Sequence, residues 1–284
     1  MHDILILGAG PAGLSAAVAA RQKNRSVLVI SNPAASNPLY RAERVDNYLG
    51  MPGLTGAQML SEFEDHARNM GVEFVTGRAI SAMALGDQVF LTVGSEVFEG
   101  KRLILATGVA RGAKYPGEQE LLGRGVSYCA TCDGMLYRNR PVVVVGRSKD
   151  APMEANYLSS LGCQVTYVSP QTPAGLAEGI PFVRAGKLEI LGEQTVTGVT
   201  ADGGKIPCDG VFILRETVVP TELFPELETW EGAIRVDRQM RTNLPGVFAA
   251  GDCTGKPLQI AKAVGEGLIA AECAADELNE LERK

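Results

Sequence analysis

Residues 127–134 read Ser-Tyr-Cys-Ala-Thr-Cys-Asp-Gly, which sets Cys129 and Cys132 two residues apart with Asp133 directly after the second. Thiols at this spacing can form a redox couple, supply half of a zinc site or be inert buried side chains. Structural zinc needs four ligands. There is no second CxxC, and the only histidines, His2 and His66, stand in no metal-ligand spacing, so no metal site is expected. A CxxC closes a small strained loop whose thiols exchange readily, and the residues favour that chemistry. Such exchange needs a proton donor and acceptor near neutral pH. With no histidine nearby in sequence, Asp133 is the candidate, although a turn aspartate before Gly134 also has a purely conformational explanation. Cys163, Cys208, Cys253 and Cys273 read as small apolar residues.

A disulfide couple needs an electron source, and the elements around it are those that hold nucleotides. The apolar strand 4–7, the turn Gly-Ala-Gly-Pro-Ala-Gly at 8–13, a helical stretch 14–23 and a second strand 26–30 make a βαβ unit. Gly8, Gly10 and Gly13 stand in the G-x-G-x-x-G pattern, with Pro11 and Ala12 between the last two. Such a turn brings backbone N–H groups and a helix N-terminus to a pyrophosphate. The acidic residue expected after the second strand is replaced by Ser31 and Asn32, either of which can still meet a ribose. Two further strands end in polar, glycine-bearing turns, at Ala106-Thr107-Gly108 and at Gly251-Asp252. Three such ends point to one nucleotide cofactor held by residues from both ends of the chain.

A second βαβ unit follows the pair: strand 141–146, helix 151–161, strand 163–168. The expected fold is α/β, with two Rossmann-like, nucleotide-binding-type domains, the second inserted into the first. Gly-, Pro- and charge-rich stretches near 111–118 and 241–246 place the boundaries. Residues 1–111 and 243–284 then form the first, discontinuous domain and 112–242 the inserted domain that bears the CxxC.

Composition sets limits. A net charge of −6 disfavours a nucleic-acid or anionic-membrane binder, and 45% hydrophobic with 21% charged residues describe a soluble globular protein. The apolar N-terminus lacks a positively charged start, and its glycines interrupt it well short of a membrane span. Of six cysteines only one pair is close in sequence, unlike a secreted disulfide scaffold, so a cytoplasmic location is expected.

The motifs together resemble the low-molecular-weight thioredoxin reductases: GAGPAG at 8–13, NYLG at 47–50, ATG at 106–108, CATCD at 129–133, TNLPGVFAAGD at 242–252, and Gln259 opening the last helix. The resemblance implies FAD in the first domain, a redox-active disulfide in the inserted one, and a homodimer. Asn47 becomes a cofactor residue, Asp252 would reach the ribityl or pyrophosphate region, and Gln259 and Ile260 would sit under the flavin's pyrimidine ring. Cys132 would face the flavin, Asp133 would shuttle protons, and Cys129 would attack the partner's disulfide.

The family's NADPH site is where this chain departs. A second G-x-G-x-x-G/A is replaced by Gly146-Arg147-Ser148-Lys149-Asp150-Ala151, residues 169–175 (SPQTPAG) carry no cation for a 2′-phosphate, and Glu216 stands where the family has a glycine. The pattern resembles the pyridine-nucleotide-independent branch, the ferredoxin-dependent flavin thioredoxin reductases and relatives in which a second flavin fills the vacated pocket. The expectation is ferredoxin as donor and thioredoxin or a similar dithiol protein as acceptor. The alternatives are an NAD(P)H-dependent thioredoxin reductase and a flavin-bound redox sensor without turnover.

Overall fold

Short β-branched runs alternating with alanine-rich segments set the architecture of a computed structural model, which describes residues 1–109, 114–128, 130–215 and 220–283, without the Cys132 side chain. Strand β1 (His2–Leu7), helix α1 (Pro11–Gln22) and β2 (Val27–Ser31) form the first βαβ unit. Helix α2 (Gly56–Asn69) begins on a capping box in which Thr55 and Gln58 satisfy each other's backbone N–H groups, and it leads to β3 (Glu73–Thr76). A meander follows, β4 (Ala79–Leu85), β5 (Gln88–Val93) and β6 (Glu96–Leu105). Then come β7 (Val126–Ser127), α3 (Ala130–Asp133), β8 (Pro141–Arg147), α4 (Ala151–Ser160), β9 (Gln164–Ser169) and β10 (Phe182–Arg184). Strands β11 (Leu188–Gly192), β12 (Val196–Ala201), β13 (Gly204–Pro207) and β14 (Gly210–Arg215) complete the insertion. The chain returns through α5 (Pro220–Leu223), β15 (Thr229–Trp230), β16 (Ala233–Ile234), β17 (Val247–Ala249) and α6 (Ile260–Glu282).

Two compact units result, Met1–Ala110 with Thr217–Lys284, and Arg111–Glu216. The return to the first unit therefore falls at 217 rather than 243. Leu223, Phe224, Leu227 and Ile234, in a stretch with no strong periodicity, bury themselves with Leu5, Leu28, Leu103 and Leu105 of the first unit's sheet.

In the first unit the strands run β3-β2-β1-β6-β5-β4, with β17 also on β6. The C-terminal half of β6 lies parallel between β1 and β17, and its N-terminal half pairs antiparallel with β5. Helices α1 and α6 cover one face through a layer of buried alanines, among them Ala16, Ala20, Ala270 and Ala274. The strand order reverses at β1, with β2 and β3 on one side and the parallel β6 on the other, and in such sheets ligands bind at the carboxyl ends of the strands beside that reversal.

The second unit holds a five-stranded parallel sheet, β10-β9-β8-β14-β7, and a three-stranded antiparallel sheet, β11-β12-β13. Val143, Val145 and Ile213 point to one core, and Val142, Val144, Phe212 and Leu214 to another, the period-two pattern of strands buried on both faces. Among the described residues no helix is long and apolar enough to cross a membrane, and no group of three or more His, Cys, Asp or Glu could hold a metal ion.

Candidate active site

The first glycine turn has the shape a pyrophosphate needs. Gly8 has φ +118°, and a β-carbon there would lie 2.2 Å from the Ala106 carbonyl oxygen; at Gly13 one would lie 1.8 Å from the Gly8 carbonyl oxygen. Any side chain at either position would push α1 off the turn. Gly10 caps α1 without a side-chain hydrogen bond, and the first turn carries no acid, so its positive end is open to an anion. Asn37 stands beside it, its Nδ2 3.1 Å from where a Gly10 β-carbon would be, a neighbour that sequence reasoning missed.

The other strand ends adjoin this turn. Gly8 N–H donates to the Ile30 carbonyl just before Ser31 and Asn32, Ala106 N–H to Leu7, and Ala250 N–H to Leu105. Gly8, Ala106-Thr107-Gly108 and Gly251-Asp252 therefore share one edge of the sheet. Asn47 and Gln259, 212 residues apart, meet directly, Asn47 Nδ2 donating to Gln259 Oε1 at 3.0 Å just before Ile260 opens α6. Burial pushes the Asp252 carboxyl above its ordinary range; Lys262 opposes that and Glu266 adds to it. The cradle at Gly8 and Gly13, the uncapped α1 terminus and the convergent strand ends fit a dinucleotide. Cys253, next in line, is buried 3.3 Å from the Leu105 carbonyl and 3.2 Å from that of Ala250, and burial pushes its thiol up to about 11. It is a packing residue.

In the second unit Cys129 lies outside the described residues, and Cys132 belongs to α3 by its backbone. The residues that flank the pair in sequence are held by hydrogen bonds. Ser127 Oγ donates to Asp133 Oδ2 at 2.6 Å, and Tyr128 OH donates to Glu118 Oε1 at 3.0 Å. Glu118 has no exposed surface and is gripped by both arms of Arg215, at 2.8 and 2.7 Å, and by the Tyr115 N–H at 2.8 Å. Burial alone raises the Glu118 carboxyl, but the Arg215 and Tyr115 hydrogen bonds, the Arg215 charge and the Tyr128 hydroxyl outweigh it, so its pKa falls below the ordinary value. On the far side, Gly134 packs against Leu158 and Leu161, and the Cys163 thiol reaches the Gly134 carbonyl at 3.5 Å.

The second glycine turn is built differently. Beside the surviving Gly146 sits the Tyr167 hydroxyl, 1.8 Å from where a β-carbon would be, so that glycine makes room for a tyrosine. Arg147 turns away to donate to Tyr115 OH at 2.6 Å and the Gly186 carbonyl at 3.3 Å. Asp150 occupies the N-cap position of α4, without a side-chain hydrogen bond to the helix, and Glu154 lies in its first turn, two acids where α1 has none. Glu216 lies outside the described residues. One reading from sequence is corrected. Residues 169–175 contain no cation, yet β10 pairs beside β9 and brings Arg184 to them, its Nη2 2.7 Å from Thr172 Oγ1. The two strands are joined by a loop whose path sequence patterns do not reveal.

A complete dinucleotide turn in one unit and a CxxC segment braced on a parallel sheet in the other define a disulfide oxidoreductase of the two-dinucleotide-domain class. The pyridine nucleotide-disulphide oxidoreductase family model matches residues 2–267. Thioredoxin reductase from Listeria monocytogenes is 35% identical over 99% of this chain and 95% of its own length, and that from Bacillus subtilis 32% over 99% and 96%. On these matches the chain belongs to the thioredoxin reductase family of flavoprotein oxidoreductases. Among solved structures, a ferredoxin-flavin thioredoxin reductase from Clostridium acetobutylicum is similar with 38% identity, 98% coverage of both chains and a TM-score of 0.92. The atypical thioredoxin reductase from Desulfovibrio vulgaris Hildenborough gives 30% identity, 99% coverage of both and 0.77.

Proposed function

We propose that this protein passes two electrons from ferredoxin, through FAD in the first unit, to the Cys129–Cys132 disulfide and on to thioredoxin or a similar dithiol protein. The observation that carries the choice of donor is the contrast between the two glycine turns. The first has a cradle open to backbone approach and an uncapped, acid-free helix terminus; the second has Tyr167 against Gly146, a side chain at 148 and acids at 150 and 154. A pyrophosphate is drawn to the first arrangement and repelled by the second. The likeness to the C. acetobutylicum ferredoxin-flavin enzyme supports the same choice.

FAD supplies the means to take electrons singly from an iron–sulfur carrier and release them as a pair. Gly8, Gly10, Pro11, Ala12 and Gly13 would hold its pyrophosphate; Ser31 and Asn32 would meet the adenosine ribose; Ala106, Thr107, Gly108, Gly251 and Asp252 would line the crevice; and Asn47, Gln259 and Ile260 would orient the ring. In the reduced dithiol, the Cys129 thiolate attacks the partner disulfide and Cys132 displaces it from the mixed disulfide, so two thiols are oxidised and two released. Asp133, held by Ser127, moves the protons. We read the working form as a homodimer, which light scattering tests.

A second reading, hydride from a pyridine nucleotide, draws on Arg184 beside residues 169–175 and on Ser148 Oγ, buried without a hydrogen-bond partner among the described residues. Anaerobic mixing separates the two. Reduced ferredoxin is expected to bleach the flavin absorbance within the turnover time, whereas micromolar NADPH and NADH leave it unchanged; rapid bleaching by either nucleotide refutes the ferredoxin reading. One flavin per chain is expected, and two would mean that the second pocket also takes one. Multiple turnovers of thioredoxin disulfide exclude the sensor.

A further inference from the structure

The first two turns of α6 grip the loop that carries Asp252. Lys262 Nζ donates to the carbonyl oxygens of Gly251 and Gly255, at 2.7 and 2.8 Å, and to Thr254 Oγ1 at 2.8 Å. Glu266 Oε2 accepts from the Gly251 N–H at 2.8 Å and lies 2.7 Å from Thr254 Oγ1. The two charges are 3.1 Å apart, with side chains only 16% and 18% exposed. An ordinary i, i+4 pair on a helix surface stops at the ion pair and contributes little. Here both charges are spent mainly on backbone and hydroxyl groups of residues 251–255, including Gly251, whose φ of +89° no side-chain-bearing residue adopts easily.

The same helix rests on the glycine turn. Ser15 Oγ donates to the Val264 carbonyl at 2.8 Å, and a β-carbon at Gly267 would lie 2.1 Å from the Ala12 carbonyl oxygen. Residues 264 and 267 thus fix α6 against the start of α1, while residues 262 and 266 fix the Asp252 loop against α6. The pyrophosphate turn and the Asp252 loop are tied to one rigid element.

We propose that Lys262 and Glu266 form a positioning pair for the dinucleotide, holding residues 251–255 so that Gly251 and Asp252 stand in register with residues 8–13 before the ligand arrives. This rests on the reading of the first unit as the FAD domain. Neither residue touches the reacting atoms; both act through Asp252 and the loop backbone, and the gain is that the loop need not be ordered at binding.

The test is titration of flavin-stripped protein with FAD, followed by flavin fluorescence, together with amide hydrogen exchange of residues 251–255. Lys262→Met and Glu266→Gln are each expected to raise the Kd for FAD at least tenfold, about 1.4 kcal/mol, and to speed exchange in the loop. Glu266→Gln is isosteric and carries the test alone if Lys262→Met does not fold. The exchanged pair Lys262→Glu/Glu266→Lys decides the mechanism: a carboxylate at 262 would face three oxygens and an ammonium at 266 the Gly251 N–H, so affinity is expected to stay low. Restored affinity in the exchanged pair, or single variants within twofold of wild type, overturns the positioning role while leaving the FAD reading intact. Failure of the wild type to bind FAD overturns both.

Discussion

Replacing Arg215 by leucine tests whether the brace beside the CxxC segment is electrostatic. The variant removes two charge-assisted hydrogen bonds, at 2.8 and 2.7 Å, from a Glu118 carboxylate with no exposed surface. Removing one partner of a buried pair costs about 3–5 kcal/mol, because the remaining charge is left uncompensated. With a urea m-value of about 2 kcal/mol/M, that lowers the unfolding midpoint by roughly 1.5–2.5 M. Far-UV circular dichroism in urea reads it, with m held constant as the check that only stability has changed. The double variant Glu118→Gln/Arg215→Leu removes both charges; its one amide oxygen can accept from the Tyr115 N–H while its NH2 donates to the Tyr128 hydroxyl, so it is expected to recover part of the loss.

Acid sharpens the test. In the wild type the Glu118 carboxyl lies below its ordinary value when folded, so its contribution is complete above the unfolded carboxylate range and fades only as pH falls through the folded value. In Arg215→Leu the unpaired carboxylate is shifted upward by burial, and the folded variant takes up a proton that the unfolded chain does not. The gap between the two proteins should therefore narrow from pH 7 to pH 5. A loss below about 1 kcal/mol, far under that expected for a buried pair, or a gap independent of pH, refutes the electrostatic account.

Other predictions bear on the chemistry directly. Cys132→Ser should stay yellow with FAD yet reduce no thioredoxin disulfide, and retained turnover would discard the dithiol relay. Gly13→Ala places a β-carbon 1.8 Å from the Gly8 carbonyl oxygen and should yield folded but colourless protein; a normal ratio of flavin to protein absorbance contradicts the pyrophosphate assignment. Asp133→Asn should lower turnover by about 10²–10⁴, the range of general acid–base catalysis. Ser127→Ala, which deletes the 2.6 Å contact to Asp133, should lower it less while preserving the pH profile, and an Asp133→Asn enzyme with more than half of normal activity rules out the proton role.

Legibility in the sequence followed the range of the interaction. The glycine turn and its strands are local, and their spacing alone leads to the cradle at Gly8 and Gly13. The Asn47–Gln259 contact spans 212 residues and becomes visible only through resemblance, since neither side chain carries a local signature. Boundaries failed where burial has no period. Leu223, Phe224, Leu227 and Ile234 lie on a short helix, a turn and a two-residue strand, so their common destination in the first unit's core leaves no pattern. The cation that reaches residues 169–175 was hidden for the same reason, because Arg184 arrives from the neighbouring strand.

Lys262 and Glu266 show a further limit. On α6 they have the i, i+4 spacing of any solvated ion pair, and sequence gives no reason to read them otherwise. What separates them from such a pair is the loop at 251–255 folding back over the helix that follows it, so that each charge finds backbone instead of water. A helix face can therefore read as ordinary surface while it sets the position of the residue that meets the ligand, and the partners of the charges, more than their spacing, decide which it is.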